Sequence, residues 1–420
     1  SGTSGDVSID NGTNALGLAG LVSGNLTVVN GAAITDSATL RVTGTSDFTI
    51  DTGSNHITLG TGDLEGAITV NTTATSNFTL DNVTQAVILA GGTINGALSI
   101  TTGGTITDTG GTTVTGTSIF TTDVDNQDIV LDSANDFRGA VTFTTQGSGG
   151  DVSIDNGTRA LGLAGLVSGN LTVVNGAGIT DSATLRVTGT SDFTIDTGSN
   201  HITLGTGDLE GAITVNTTAT SNFTLDNVTQ AVILAGGTIN GALSITTGGT
   251  ITDTGGTTVT GTSAFITDVD NQDIVLDSAN SLQGAITFTT QGSSADVTLD
   301  NGSRAISLAT FTTEGNLSLT SSAAIDVKAH TVNGNLTVES GGAISQTGAL
   351  TVTGTSNFTS TGTNTNITLA TTTNNFGNAV TLTTAGTSGD VSIDNNTNAL
   401  GLAGLVSGNL TVVNGAGITD

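Results

Sequence analysis

Residues 6–36, DVSIDNGTNALGLAGLVSGNLTVVNGAAITD, return at 151–181 as DVSIDNGTRALGLAGLVSGNLTVVNGAGITD. The period is 145 residues, and over that length the two copies differ at ten positions, among them Asn14/Arg159, Ile119/Ala264 and Phe137/Leu282. A diverged copy begins at Asp296 and a fourth at Asp390, which divides the chain into units 6–150, 151–295, a short 296–389 and a partial 390–420. Residues 1–36 recur almost unchanged at 385–420. The expectation is one continuous array over residues 1–420, cut from a longer repetitive chain. Self-similarity of this kind marks architectures in which each repeat buries its apolar face only against its neighbours.

A finer pattern, Gly-x-apolar-Thr/Ser-apolar, runs inside each unit. It begins at Gly24, Gly66, Gly96, Gly139 and Gly169, with spacings of 42, 30, 43 and 30, and at Gly315 and Gly334, 19 apart. A turn length of roughly 19–22, near the lower end of known solenoid repeats, accounts for the spacings of 19, 42 and 43 as one and two turns. The spacings of 30 call for a longer turn or an inserted loop. Between the marks lie short alternating runs such as VSID, LTVV, FTID and HITLG, which read as strands. Asn-Gly pairs at Asn11, Asn30, Asn95 and Asn333 read as corners, because both residues tolerate left-handed backbone. Three short strands and three corners per turn outline an all-β parallel β-helix, a β-solenoid of about 20 turns. Stacked about 4.8 Å apart, such turns would make a rod roughly 90–100 Å long.

Composition agrees. Gly, Thr, Asn and Asp disfavour helix, and short Val/Ile/Leu runs argue against disorder. There is no Pro and a single Lys, Lys328. Exposed sheet edges are commonly guarded by those two residues, so their scarcity fits strands paired on both sides. Inward positions are read as Val7 and Ile9, or Leu26 and Val28. Phe48, Phe78, Phe120 and Phe143 are read as core filler, with a sugar-stacking platform as the sharper reading. Like Asn and Thr side chains are expected to form ladders between turns. The longest strongly apolar run, Ala86–Ala90, is far too short to span a bilayer, and no export signal is visible at Ser1–Gly5.

Chemistry is sparse, and no catalytic, cofactor-binding or metal-binding residue is assigned. His56, His201 and His330 are the only histidines and are read as solvated or wall residues. No Gly-x-Ser-x-Gly elbow stands beside a His and an acid, and Arg41, Arg138, Arg159, Arg186, Arg304 and Lys328 are scattered. The densest acidic cluster, Asp123, Asp125 and Asp128, repeats as Asp268, Asp270 and Asp273. It resembles half of a calcium loop but lacks that loop's sixth-position Gly and twelfth-position Glu. It is read as a solvated corner, with surface calcium binding as the alternative. A net charge of −29 argues against nucleic acid. Thr-x-Thr pairs such as Thr105/Thr107, Thr113/Thr115 and Thr142/Thr144 leave ice binding open, beside a carbohydrate-binding or carbohydrate-processing β-helix.

Runs such as GNLTVVNGAAITDSATLRVTGTSDFTID and GNLTVESGGAISQTGALTVTGTSNFTS resemble the repeats of filamentous-haemagglutinin-like proteins, large bacterial surface adhesins. The resemblance is one of repeat style and transfers no functional residue. It implies a right-handed parallel β-helix, export through the outer membrane, and adhesion or biofilm scaffolding. The resulting expectation is an extracellular or cell-surface fibre or adhesin stalk that performs no catalysis. Its partners would be itself, stacked axially, and a host or abiotic surface.

Overall fold

The computed structural model describes residues 5–420 and shows an all-β parallel β-solenoid of about 21 turns with no helix. The chain divides into two compact units, Ser1–Gly211 and Ala212–Asp420. Turn length varies along the chain: Leu16 lies in register with Ile34 on the next turn, whereas Ser356 has to wait until Val380.

In the first unit each turn has a straight side and a bent side. Val7–Asp10, Leu26–Asn30, Ser46–Ile50 and Ala67–Asn71 stack as single straight strands. Opposite them, Leu16–Val22 lies on Ile34–Val42 with a register slip after Leu18, and then the shorter pieces Ile57–Leu59 and Gly62–Leu64 follow. The expected three strand pieces per turn appear where the bent side splits, as at Ile57–Leu59 and Gly62–Leu64, whereas Leu16–Val22 and Ile34–Val42 run as single bent strands.

The two sides exchange after Asn71. Phe78–Asp81 lands on Ile57–Leu59 and starts a straight stack with Leu98–Thr102, Ser118–Asp125 and Val141–Gln146. Facing it, Val87–Ile94 carries the paired pieces Ile106–Asp108 and Thr112–Val114. The straight stack returns to its first side at Val152–Asp155. From Val7 to Phe78 the chain makes three and a half turns. This corrects the reading of the 30-residue spacings: Gly66 and Gly96 precede straight strands on opposite sides, one and a half turns apart. No long turn or inserted loop is needed.

The second unit follows the same rule. Phe223–Asp226, Leu243–Thr247, Ser263–Asp270 and Ile286–Gln291 form one straight stack. The opposite side then takes five: Val297–Asp300, Leu317–Ser321, Leu336–Ser340, Ser356–Thr363 and Val380–Ala385. Val391–Asp394 returns to the other side, so the short repeat 296–389 is four and a half turns long.

Glycine marks the corner before most straight strands, because turns approach there backbone to backbone; Ser76 stands at that corner before Phe78 and Ala295 before Val297. The Gly44 N–H donates to the Gly24 carbonyl at 3.0 Å, and a Cβ on Gly44 would stand 2.6 Å from that oxygen. The Asn-Gly corners at Asn95 and Asn333 are of this kind, the one at Asn30 follows a straight strand instead, and none of these glycines is left-handed. Only the corner at Asn11 matches the sequence reading, with Gly12 at φ +59° and Asn396 at +55° in the fourth copy.

Inward Val, Ile and Leu fill the core, including Leu26, Val28 and Ile34, but Val7 on the first described turn is exposed and Ile9 only half-buried, since no described turn covers them from below. Eleven of the twelve Phe rings are fully buried, which removes them as sugar platforms, and Phe120 stacks in register on Phe143 with centroids 6.0 Å apart. The exception is Phe311, half-buried.

Candidate functional site

The polar residues that repeat most faithfully bind one turn to the next. At the glycine corners the side chain of one turn accepts a backbone N–H of the turn above. Asp6 Oδ1 takes the N–H of Asn25 at 2.8 Å, and Asn25 Oδ1 takes that of Thr45 at 2.9 Å. The series recurs through Asp151, Asn170 and Thr190, and through Asp296, Asn316, Asn335 and Thr355. The expected ladders of like side chains are thus mainly side chain to backbone.

A second set of asparagines is fully buried. Asn82 accepts the N–H of Leu64 at 2.8 Å and donates to its carbonyl at 3.1 Å, and Asn301 pairs with Leu282 in the same way at 2.7 and 3.1 Å. Each amide replaces a peptide group where the main chain turns away. Such a group is tolerated in the core because both of its functions are met.

Charges are spent similarly. Asp36 accepts the N–H of Gly60 at 3.0 Å and the hydroxyl of Thr61 at 2.8 Å. Burial pushes its carboxyl up, but the bonds from Gly60 and Thr61 together outweigh this and hold it below the usual range. Arg41 reaches Asp63 at 3.3 Å and Glu65 at 2.6 Å on the next turn, and Arg186 repeats this with Asp208 and Glu210. Asp136 joins Arg138 and Arg159, and the hydrogen bond from Arg138 leads in lowering its carboxyl. In the next copy Ser281 replaces Asp136, and Arg304 donates to its hydroxyl at 3.3 Å. Of the arginines scattered in sequence, Arg41, Arg159, Arg186 and Arg304 are clamps between turns, while Arg138 pairs with Asp136 on its own turn. The signal was present: Arg41 and Glu65 lie about one turn apart, and the pair recurs 145 residues later.

The acidic corner does not converge. Asp123 and Asp125 are exposed, while Asp128 Oδ1 accepts the N–H of Asp151 at 2.9 Å. In the second unit Asp268 and Asp270 are exposed and Asp273 accepts the N–H of Asp296 at 2.8 Å. Among the described residues no group of three or more His, Cys, Asp or Glu side chains stands where it could hold a metal ion. His56 and His201 are exposed, but His330 is buried at 3% exposure, which corrects its reading as a solvated or wall residue. Outward threonines do align, as in Thr101, Thr121 and Thr144. Asp81 interrupts that column one turn below, and the straight side itself moves after four turns.

The fold and its surface define a tandem-repeat β-solenoid whose polar groups are engaged chiefly in holding turns together. The chain belongs to the family described as Repeats of unknown function (DUF5649), matched at residues 4–71, 75–144, 149–216, 220–289 and 314–383. Successive matches begin about three and a half turns apart, which is the interval at which the straight side changes. The larger gap, 290–313, holds about one further turn. No curated protein and no solved structure matches the chain.

Proposed function

We propose that this chain is a structural segment of an extracellular bacterial fibre or adhesin stalk and performs no catalysis. The observation that carries the reading is the turn-to-turn use of the repeated polar groups: the Asp6–Asn25–Thr45 corner, the buried asparagines and the Arg41 clamp each join neighbouring turns. A chain built this way gains stability additively with length. The repeat style shared with filamentous-haemagglutinin-like proteins supports a surface location and a role in adhesion or biofilm scaffolding. The net charge of −29 opposes lateral bundling and nucleic-acid binding. Self-association along the fibre axis and contact with a host or abiotic surface are the partners this reading supplies.

The test is electron microscopy of native material, with antibody raised against residues 151–295 and gold detection on intact cells. Thin unbranched fibres carrying label outside the cell are expected. Label confined to the cell interior, or to compact particles, would overturn the reading.

A further inference from the structure

On one side of one turn of the second unit the ladder to the next turn is nearly lost, although Val297–Asp300 on the other side still pairs with the following turn. In the first unit Gly165 has φ +103°, and a Cβ there would run into the Phe143 carbonyl oxygen. That close approach lets Val141, Thr142, Phe143 and Thr144 pair with Leu163, Ala164, Gly165 and Leu166. One repeat later, where Leu308 and Ala309 match Leu163 and Ala164, the glycine is Thr310, and the run to the next corner glycine, Gly315, is one residue longer than that to Gly169. A β-branched residue cannot take that backbone. The ladder shrinks to a single bridge, Ile286 with Leu308.

Beside the break the core is incompletely closed. Phe311 packs edge-on to Phe288 at 5.6 Å and to His330 at 4.2 Å. A pocket lined by Phe311, His330, Ala329 and Ala349 opens there. His330 Nδ1 lies 3.2 Å from the Lys328 carbonyl oxygen, while Nε2 is buried and meets no protein group. With the proton on Nδ1 donated to Lys328, the neutral ring fits this site. The imidazolium would add a buried N–H with no acceptor and a charge with no counter-charge.

The packed strands offer no relief. Thr312–Thr313, Leu350–Val352 and Ile286–Gln291 carry no titratable residue. Glu314 is engaged by Asn333 at 2.8 Å, Asp326 by the Thr347 hydroxyl at 3.2 Å, and Lys328 is itself a cation. Burial outweighs the Lys328 bond and holds the imidazole below its ordinary pKa.

We propose that this turn is an acid-sensitive opening point, where charging His330 releases the side that has lost its ladder, residues 309–313 and 329–332, while the straight strand Leu317–Ser321 and neighbouring turns stay closed. A histidine whose pKa is lowered by folding stabilises the fold above its unfolded value, about 6.5. That contribution falls as the pH drops below this value and is fully lost once the pH passes the lower folded value. Opening therefore belongs to mildly acidic conditions, above the range in which carboxylates protonate.

The test is hydrogen exchange on residues 1–420 at about pH 7.5 and about pH 5, corrected for intrinsic rates, with ring-proton NMR titration of the three histidines. Residues 309–313 and 329–332 should open at least about tenfold more in acid, relative to 344–385. His330 should titrate below the ordinary imidazole value, about 6.5. His330→Leu, matching its in-register neighbour Leu350, should abolish the acid response. Thr310→Gly should restore the ladder and reduce the response, and it carries the test if the leucine variant does not fold. A wild-type segment indifferent to acid, a response that survives His330→Leu or is undiminished by Thr310→Gly, or a His330 ring that titrates at or above the ordinary imidazole value, about 6.5, would each overturn the proposal.

Discussion

The side chain of Asn156 forms a closed pair of hydrogen bonds with the backbone of Phe137, accepting from its N–H at 2.7 Å and donating to its carbonyl at 3.0 Å. The two residues sit on successive turns and both are fully buried. Asn156→Ala would leave two core peptide groups unpaired, at a cost of about 2–4 kcal/mol. Asn156→Asp should be at least as damaging near neutral pH, since a carboxylate cannot donate to the carbonyl. Denaturant melts, with hydrogen exchange read over 129–171, check this. Equal stability of all three proteins would refute the pairing.

Phe48 is fully enclosed, in register with Val28 below and Val70 above. Phe48→Ala should cost about 3–5 kcal/mol. Because each turn contacts chiefly its neighbours, exchange should loosen near residues 26–71 and leave 129–175 unchanged. Uniform loosening across the unit would contradict nearest-neighbour stability.

The glycine corner is a steric requirement, and it separates two glycines that look alike in sequence. Gly44→Ala forces a methyl to within 2.6 Å of the Gly24 oxygen and should destabilise by about 1–3 kcal/mol. Gly12→Asn should be nearly neutral, since Asn396 occupies the equivalent corner at φ +55°. Melting temperatures of the two variants should therefore differ clearly, with the alanine lower.

Strong acid should release the Gly60–Thr61 loop from Asp36. This carboxyl lies below its ordinary value when folded, because the bonds from Gly60 and Thr61 outweigh the effect of burial. Its stabilisation is present above the unfolded carboxylate value, about 3.9, and is lost as the pH falls through the lower folded value. Exchange at the Gly60 and Thr61 amides should accelerate in that window. Asp36→Asn should flatten this dependence.

Much of the fold was legible because the solenoid's main forces are local and periodic. Alternation placed Val28 and Leu26 inward, and the Gly-x-apolar-Thr mark located the straight strands. The side exchange was harder to see. Gly24 and Gly96 carry the same mark, yet which side of the turn each faces depends on turn lengths that vary along the chain. The calcium-like corner shows the limit for sites: Asp123, Asp125 and Asp128 are close in sequence, but the last is taken up by the N–H of Asp151 on the next turn.

The sequence by itself determined the repeat, the strand class, the inward apolar faces and the glycine corners, because those follow from alternation, backbone sterics and self-similarity. Only the tertiary structure decided which residue lies over which. Turns of unequal length, such as those from Leu16 to Ile34 and from Ser356 to Val380, accumulate offsets that sequence spacing does not reveal. The partners of Asn156 and Arg41, the half-turn exchange, and the break at Thr310 that leaves His330 buried and half-satisfied all depend on that register. A hydrogen bond or a collision between turns exists only when two residues a full turn apart are stacked one above the other.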